Sequence, residues 1–136
     1  MSFDLYYRDN GNYISTLAFQ DNENLVLRDI TQNVLESTSY GFDYNYGKSV
    51  TDWWYLFSYI SIFHEDETFV ALESNNQEVT NNVDGIYINL TNYLNLSKDG
   101  TFKGEFGLTY LSGFLEGSYR LEETTNITFG LRKTLW

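Results

Sequence analysis

Aromatic residues alternate with small or polar residues from Tyr40 to Gly47. Tyr and Phe hold the even positions of this segment, and Gly, Asp and Asn hold the odd ones. Successive side chains of a strand point to opposite faces, so the pattern predicts a strand with one aromatic face and one small, polar face. A sheet that is apolar on one side and wet on the other is typical of a transmembrane β-barrel.

The same alternation returns in the second half of the chain. It is cleanest from Ile86 to Leu96 and recurs around Phe102–Phe114 and Ile127–Leu135. We therefore expect one continuous apolar surface, facing lipid, and a polar surface opposite it. The predicted lipid-facing residues are Ile88, Leu90, Leu94, Phe106, Leu108, Phe129 and Leu131, and the predicted polar residues are Asn89, Thr91, Glu105, Thr109 and Arg132.

The predicted connections between strands are alternately short and long. Turn residues at 49–52 and 97–100 predict tight connections, whereas 115–124 and the acidic stretch 64–82 predict longer ones, with 64–82 as the exposed loop. Outer-membrane barrels have this alternation of tight turns and long loops. The pattern predicts an all-β fold: an antiparallel up-and-down transmembrane β-barrel, or a barrel segment of about 6–8 strands, in one domain over residues 1–136. Residues 9–12, which include Asn-Gly, predict a further turn.

Composition narrows the class of protein. Aromatic residues make up 18% of the chain although the mean hydropathy is only -0.38, and the chain lacks Cys and Pro. No apolar run is long enough for a transmembrane helix. The net charge is -11 with only eight Lys and Arg, which argues against nucleic-acid binding. The first residues show no basic and apolar signal segment, so we expect a piece of a longer protein or a mature chain with a start Met.

A soluble fold is the alternative. Alternating strands also build β-sandwiches and small ligand-binding barrels, in which the apolar face is the core. Two features favour the membrane. The predicted strands approach the roughly 9–11 residues that cross a bilayer at a tilt, and the polar face is rich in Tyr, Asn, Thr and Gly with few Lys or Glu.

Four aromatic residues are candidate anchors at the membrane–water interface. They are Trp53, Trp54 and Tyr55 at the start of the most hydrophobic segment, and Trp136. Trp and Tyr are enriched at that level of a bilayer. Stacking of the paired tryptophans on a sugar is the less favoured interpretation.

The sequence offers little catalytic chemistry. His64-Glu65-Asp66-Glu67 places one imidazole beside three carboxylates and suggests a weak cation site, but a solvated acidic loop explains it more simply. The chain has a single His and no Cys, so a zinc site or a catalytic triad has no further support. We therefore assign no catalytic, cofactor-binding or metal-binding residue, and expect a protein that is not an enzyme.

The order of these segments resembles a known family. Tyr7-Arg8-Asp9-Asn10, Ser39–Asp43, Trp53-Trp54, Tyr87–Asn92 and Phe129–Lys133 follow one another as in the C-terminal barrel region of TonB-dependent outer-membrane receptors of the Bacteroidetes type, in the outer-membrane protein β-barrel family. The resemblance implies the bacterial outer membrane, contact with outer-membrane lipid, and uptake of a nutrient such as a siderophore, glycan or peptide. It implies no cofactor.

The resemblance covers only part of such a receptor. Receptors of this type carry a plug domain inside a barrel of about 22 strands, and this chain resembles roughly a third of that barrel. We therefore expect no activity of the chain alone, and expect the remainder of the barrel and the plug as partners. A small outer-membrane barrel that closes by itself, and a soluble β-sandwich or barrel that binds a ligand or partner, remain as alternatives.

Overall fold

The alternating segments form long antiparallel strands. The computed structural model describes residues 1–21, 24–71, 77–116 and 119–135, without the side chains of residues 18–21. The described residues contain strands and turns and no helix, which confirms the all-β prediction. The strands are β1 (Ser2–Asp21), β2 (Val26–Ser49), β3 (Trp54–Ala71), β4 (Gln77–Asn95), β5 (Phe102–Leu111), β6 (Phe114–Glu116), β7 (Tyr119–Leu121) and β8 (Thr124–Lys133).

Six of these strands make one sheet in the order β1-β2-β3-β4-β5-β8. Every neighbouring pair is antiparallel, so the up-and-down arrangement is confirmed. The small β6–β7 hairpin is inserted between β5 and β8 and forms a separate two-stranded sheet. Strands β1 and β8 are the two edges and do not pair with each other in the described part of the chain, so the sheet is not closed.

Two tight turns lie at one end of the sheet, as the sequence predicts. Residues 50–53 join β2 to β3, and Val50 N donates a hydrogen bond to Trp54 O at 2.8 Å. Residues 96–101 join β4 to β5, with Gly100 at φ 67°. That φ lies in the left-handed region, which glycine adopts without steric cost. In the same turn, the Asp99 carboxylate accepts hydrogen bonds from Thr101 N and Oγ1.

The predicted exposed loop at 64–82 is wrong for residues 64–71 and 77–82. Strand β3 continues to Ala71, β4 begins at Gln77, and the pairing between them is unbroken from Trp54↔Leu94 to Ala71↔Gln77. Polar residues of this segment pair across the two strands; for example, Thr68 Oγ1 lies 2.8 Å from Thr80 Oγ1. Cross-strand pairs of this kind stabilise a sheet, and the sequence does not show which residues will be opposite each other. Residues 72–76 lie outside the described residues.

The strands divide lengthwise into two regions. We call the first the belt: it comprises residues 3–7, 40–48, 54–62, 86–94, 104–110 and 125–131, next to the tight turns. We call the second the extension: it comprises residues 13–21 and 26–35 of the β1–β2 hairpin and residues 67–71 and 77–82 of the β3–β4 hairpin. The central belt segments 40–48, 54–62 and 86–94 reach the length that a tilted strand needs to cross a bilayer, roughly 9–11 residues, and the segments 3–7, 104–110 and 125–131 are shorter.

The extension has a small core of its own. Leu17, Val34, Phe69 and Ala71 are buried together, and Tyr13, Ile30 and Val79 pack against them. Pairing between β2 and β3 ends at Glu36↔Thr68, so the β1–β2 hairpin joins β3 and β4 here through side chains. One polar link also connects them, since Gln32 Nε2 donates to Val70 O at 2.8 Å.

The side-chain alternation of the first hairpin changes phase at Asn12. The sequence predicts a turn at 9–12, but β1 runs straight through it. Asn12 has φ 55°, in the left-handed region where Asn is enriched among non-glycine residues, and Asn12 and Leu35 form no partner pair although their neighbours do. Strict alternation would put Tyr6 and Tyr13 on opposite faces, because one number is even and the other odd. Instead, Tyr6 lies over Gly41 and Tyr13 contacts Glu67, and both contacts are on the same face of the sheet. The chain therefore turns its side chains over without leaving the sheet.

Candidate functional site

The register sorts the belt into two chemically different faces. Residues that are cross-strand partners in an antiparallel sheet point to the same side. The pairs Ile60↔Ile88, Leu90↔Leu108 and Phe106↔Phe129 thus lie on one face, which we call the apolar face. The opposite face, which we call the polar face, carries residues such as Ser61, Asn89 and Thr109.

The predicted lipid-facing residues all fall on the apolar face. The pairing places Leu94, Gly104 and Leu131 in one row, and Ile88 and Leu90 alternate with Asn89 on the same strand. Several apolar side chains of this face are largely uncovered, and Phe129 is 70% exposed. A large uncovered apolar surface marks a membrane or partner contact. Contact of these residues with lipid stays a prediction.

The predicted aromatic anchors do not form one group. Trp53 lies in the tight turn and is half exposed, with its ring 6.4 Å from that of Trp54. Trp54 lies on the apolar face, where its Nε1 donates to Asn92 Oδ1 at 3.0 Å. Tyr55 follows it in the strand and so points to the polar face, where its ring lies 6.2 Å from that of Tyr93. Trp136 lies outside the described residues.

Hydrogen bonds connect the strands across the polar face. Ser61 Oγ donates to Asp43 Oδ1 at 2.6 Å, and Asn89 Nδ2 donates to Thr109 Oγ1 at 3.0 Å. The face is therefore held by polar side chains and remains compatible with water. This is the chemistry of a barrel interior.

Glycines on the polar face make room for aromatic rings from the next strand. A Cβ at Gly85 would lie 2.1 Å from Cζ of Phe63, and a Cβ at Gly41 would lie 2.8 Å from the Tyr6 hydroxyl. The rings can lie flat along the sheet because these positions carry no side chain. This packing accounts for the glycines at these two positions, since aromatic side chains of a neighbouring strand can cover a glycine in a β-sheet.

The segment His64–Glu67 is split between the two faces. His64 and Asp66 lie on the side of the apolar face, where His64 Nδ1 is 2.7 Å from Asp84 Oδ1 and Nε2 is 3.1 Å from Asp66 Oδ2. The hydrogen bond with Asp84 is the main cause that raises the pKa of His64, and the hydrogen bond with Asp66 adds to it. The Tyr40 ring stacks on the imidazole at 4.9 Å between centroids.

The four residues therefore do not make one cation site. Within the described ranges, no three His, Asp or Glu side chains are grouped as a metal site would require. The alternative of a solvated acidic loop is also wrong, because all four residues belong to β3.

Glu65 and Glu67 instead form an acidic pocket on the polar face, just beyond the belt. Asp9, Asn12, Tyr13 and Ser37 complete its wall, together with 10–11. The Tyr13 hydroxyl donates a short hydrogen bond to Glu67 Oε1. Burial first, and then this contact with Glu67, raise the pKa of Tyr13. Burial also raises the pKa of Glu65, and the neighbouring Glu67 charge adds to the effect.

Sequence reasoning missed this pocket. Tyr13 and Glu67 are 54 residues apart in the chain, and the phase change at Asn12 reverses the face on which simple alternation places Tyr13. The available signal was the pair Glu65 and Glu67, two acids at strand spacing that must share a face if the segment is a strand.

The comparisons with known proteins agree with this two-faced sheet. A family model described as the outer membrane protein beta-barrel family matches residues 1–136. No curated protein and no solved structure matches the chain. Among the described residues, no helix has the length and apolar character needed to cross a membrane.

Proposed function

The chain belongs to the outer membrane protein β-barrel family, and from this premise we propose that it forms part of the barrel wall of a receptor that takes up a nutrient. Family membership puts the protein in the outer membrane, so the soluble β-sandwich alternative is not retained. The proposed parent is a TonB-dependent receptor of the Bacteroidetes type, and its cargo is a siderophore, glycan or peptide. The chain has no catalytic role in this proposal.

The observation that carries the proposal is the opposition of the two faces along the belt. Leu90 and Leu108 are partners on the apolar face, while Asn89 and Thr109 are hydrogen-bonded on the polar face. The apolar face can contact lipid without a free-energy penalty, and the polar face can contact an aqueous lumen. A wall between lipid and water needs both surfaces at once.

The open edges of the sheet support a wall segment over a small closed barrel. Backbone groups of an edge strand have no partner on one side, and an unpaired backbone group in the hydrocarbon region costs several kcal/mol, roughly as in apolar solvents. Strands β1 and β8 are such edges in the described part of the chain. We propose that the remaining strands of the receptor barrel pair with them and that the plug fills the lumen.

Single cysteines on the two faces test the wall. Leu90→Cys and Leu108→Cys report on the apolar face, and Asn89→Cys and Thr109→Cys are their matched neighbours on the polar face. Each variant is labelled with an environment-sensitive fluorophore after folding into bilayers. Brominated lipid should quench the first pair, and a water-soluble quencher should reach the second pair. Equal quenching on both faces would contradict the wall.

Deletion in the source organism tests the uptake role. The deletion strain should lose energy-dependent uptake of one of three labelled cargoes, namely a ferric siderophore, an oligosaccharide or a peptide. Re-expression of the full gene should restore it. Unchanged uptake of all three classes would remove the receptor role and leave the membrane wall in place.

The two edges distinguish a wall segment from a barrel that closes by itself. Spin labels at Leu5 on β1 and Ile127 on β8 should give a long, broad distance distribution when the purified chain is folded in detergent. A short and narrow distance between the labels would show self-closure and overturn the segment proposal.

A further inference from the structure

We propose that the acidic pocket of Glu65 and Glu67 binds an organic cation of the cargo, a primary ammonium group such as a lysine side chain carries. This inference rests on the proposed uptake function and narrows its cargo to ammonium-bearing peptides. It concerns the polar face beyond the belt, where a ligand would meet the wall before it reaches the membrane level.

Glu67 is the main reason to infer a ligand. Its side chain is 4% exposed, and its Oε2 atom has no hydrogen-bond partner in the part of the chain that the structure describes. The Tyr13 hydroxyl satisfies only the other oxygen. A buried carboxylate oxygen without a partner is strongly unfavourable, and each such group in a native protein calls for a missing water, ion or ligand.

The described residues that line the pocket also include no Lys, Arg or His. Neither Glu65 nor Glu67 forms an ion pair within the described ranges. Arg8 is the cation closest in register, because Ser39 pairs with both Arg8 and Glu65. Its guanidinium carbon instead lies 4.5 Å from the centroid of the Tyr6 ring, where it makes a cation–π contact. The two carboxylates are thus left to a cation from outside the sheet.

The donor set fits an ammonium better than a metal ion. Calcium takes about 6–8 oxygen ligands, typically with several carboxylates, and no three His, Asp or Glu side chains among the described residues are placed to hold a metal ion. An ammonium group has three donors. Glu65, Glu67 and the Ser37 hydroxyl of the same wall can accept one hydrogen bond each.

Binding of a lysine peptide to the full chain in detergent tests the proposal. The probe is the tripeptide Ala-Lys-Ala, and the control ligand is the same peptide with an acetylated lysine side chain, which has the shape but not the charge. Calorimetry should show binding of the lysine peptide and at least about tenfold weaker binding of the acetylated one, since charged hydrogen bonds are lost. This comparison uses the unaltered protein and does not depend on the folding of a variant.

Variants locate the binding to the pocket. Glu67→Gln and Glu65→Gln should each weaken the affinity about tenfold or more. Glu36→Gln is the matched control, because Glu36 is an exposed glutamate that precedes Ser37 in β2 and pairs with Thr68. It should leave the affinity unchanged. Migration on an unheated gel confirms that each variant is folded.

Three results would overturn the inference. They are no binding of the lysine peptide at millimolar concentration, equal binding of the acetylated peptide, or full affinity of the folded Glu67→Gln variant. Calcium alone is a further probe. If calcium binds in a Glu67-dependent way and prevents peptide binding, the ligand of the pocket is a metal ion, and the ammonium inference is overturned. If the chain does not bind the peptide but the uptake experiment succeeds, only this inference is wrong. If the chain binds the peptide but the deletion leaves uptake unchanged, only the receptor role is wrong.

Discussion

The belt and the extension use the same strands in opposite ways. In the belt, apolar side chains such as Ile62 and Phe129 lie on the apolar face and are largely uncovered. In the extension, apolar side chains such as Val34 and Phe69 are buried against one another. The apolar side chains of the belt therefore need an apolar environment from outside the sheet, while those of the extension bury one another in a core. The difference shows that strand alternation alone does not reveal which side of a sheet is covered.

Removal of Phe69 should have the largest effect and should be confined to the extension. Phe69 is 6% exposed in the small core, and Phe→Ala in a packed core costs about 3–5 kcal/mol. Phe69→Ala should therefore expose the extension to protease while the belt stays protected in detergent. Ile62→Ala in the belt is the control, since Ile62 is half exposed and detergent or lipid can fill the space. Equal damage from both variants would break the comparison.

A charge scanned along the apolar face of β4 should produce a depth-dependent loss. Leu90→Arg should cost about 2–4 kcal/mol in a bilayer, and arginine at Ile86 or Leu94 should cost less because these positions lie nearer the interfaces. Reversible folding into lipid vesicles measures the profile. A plateau over all positions would indicate a packed core behind this face and would contradict lipid contact.

Filling the space under an aromatic ring should have a moderate effect. A Cβ at Gly85 meets the Phe63 ring, so Gly85→Ala should cost about 1–3 kcal/mol, as overpacking does. Gly130→Ala is the matched change on the same face, where the nearest atom, Glu105 Cβ, is 3.9 Å away. Chemical denaturation should leave Gly130→Ala almost as stable as the parent. Recovery in the double variant with Phe63→Leu would confirm that the ring is the obstacle.

Replacement of Asp99, which lies in the turn between β4 and β5 outside the belt, should have the smallest effect on stability. Hydrogen bonds from Ser97 and Thr101 lower its pKa to about 2 from the ordinary 3.8. A lowered folded pKa stabilises the fold above the unfolded value, and the contribution is lost as the pH falls through about 2. Asp99→Asn should thus lower the thermal midpoint slightly at pH 6, and by less near pH 2. An equal deficit at both pH values would contradict this.

The faces of the belt could be predicted because their signal is local. Leu90 and Asn89 are neighbours in sequence, and a strand sends neighbours to opposite faces. The alternation in 40–47, 86–96, 102–114 and 127–135 therefore predicts both the fold class and the apolar residues. The match of a barrel family over residues 1–136 agrees with that fold class.

The extension and its pocket could not be predicted because their determinants are distant in sequence. Residues 64–82 have few apolar positions, and their strand character depends on partners such as Thr68 and Thr80 that face each other only after pairing. The contact of Tyr13 with Glu67 also depends on the left-handed backbone at Asn12, which sequence reasoning assigned to a turn. Local alternation contains neither kind of information.

The phase change at Asn12 has a consequence for how one hairpin can serve two different surroundings. A single inserted or deleted residue in a strand normally turns every later side chain to the wrong side. Here the side chains change faces at Asn12 while the pairing register continues unchanged from Gly11↔Glu36 to Tyr13↔Val34, so the change needs no inserted residue. The β1–β2 hairpin can therefore pack its apolar residues against β3 in the extension, while the same two strands carry theirs on the opposite face in the belt.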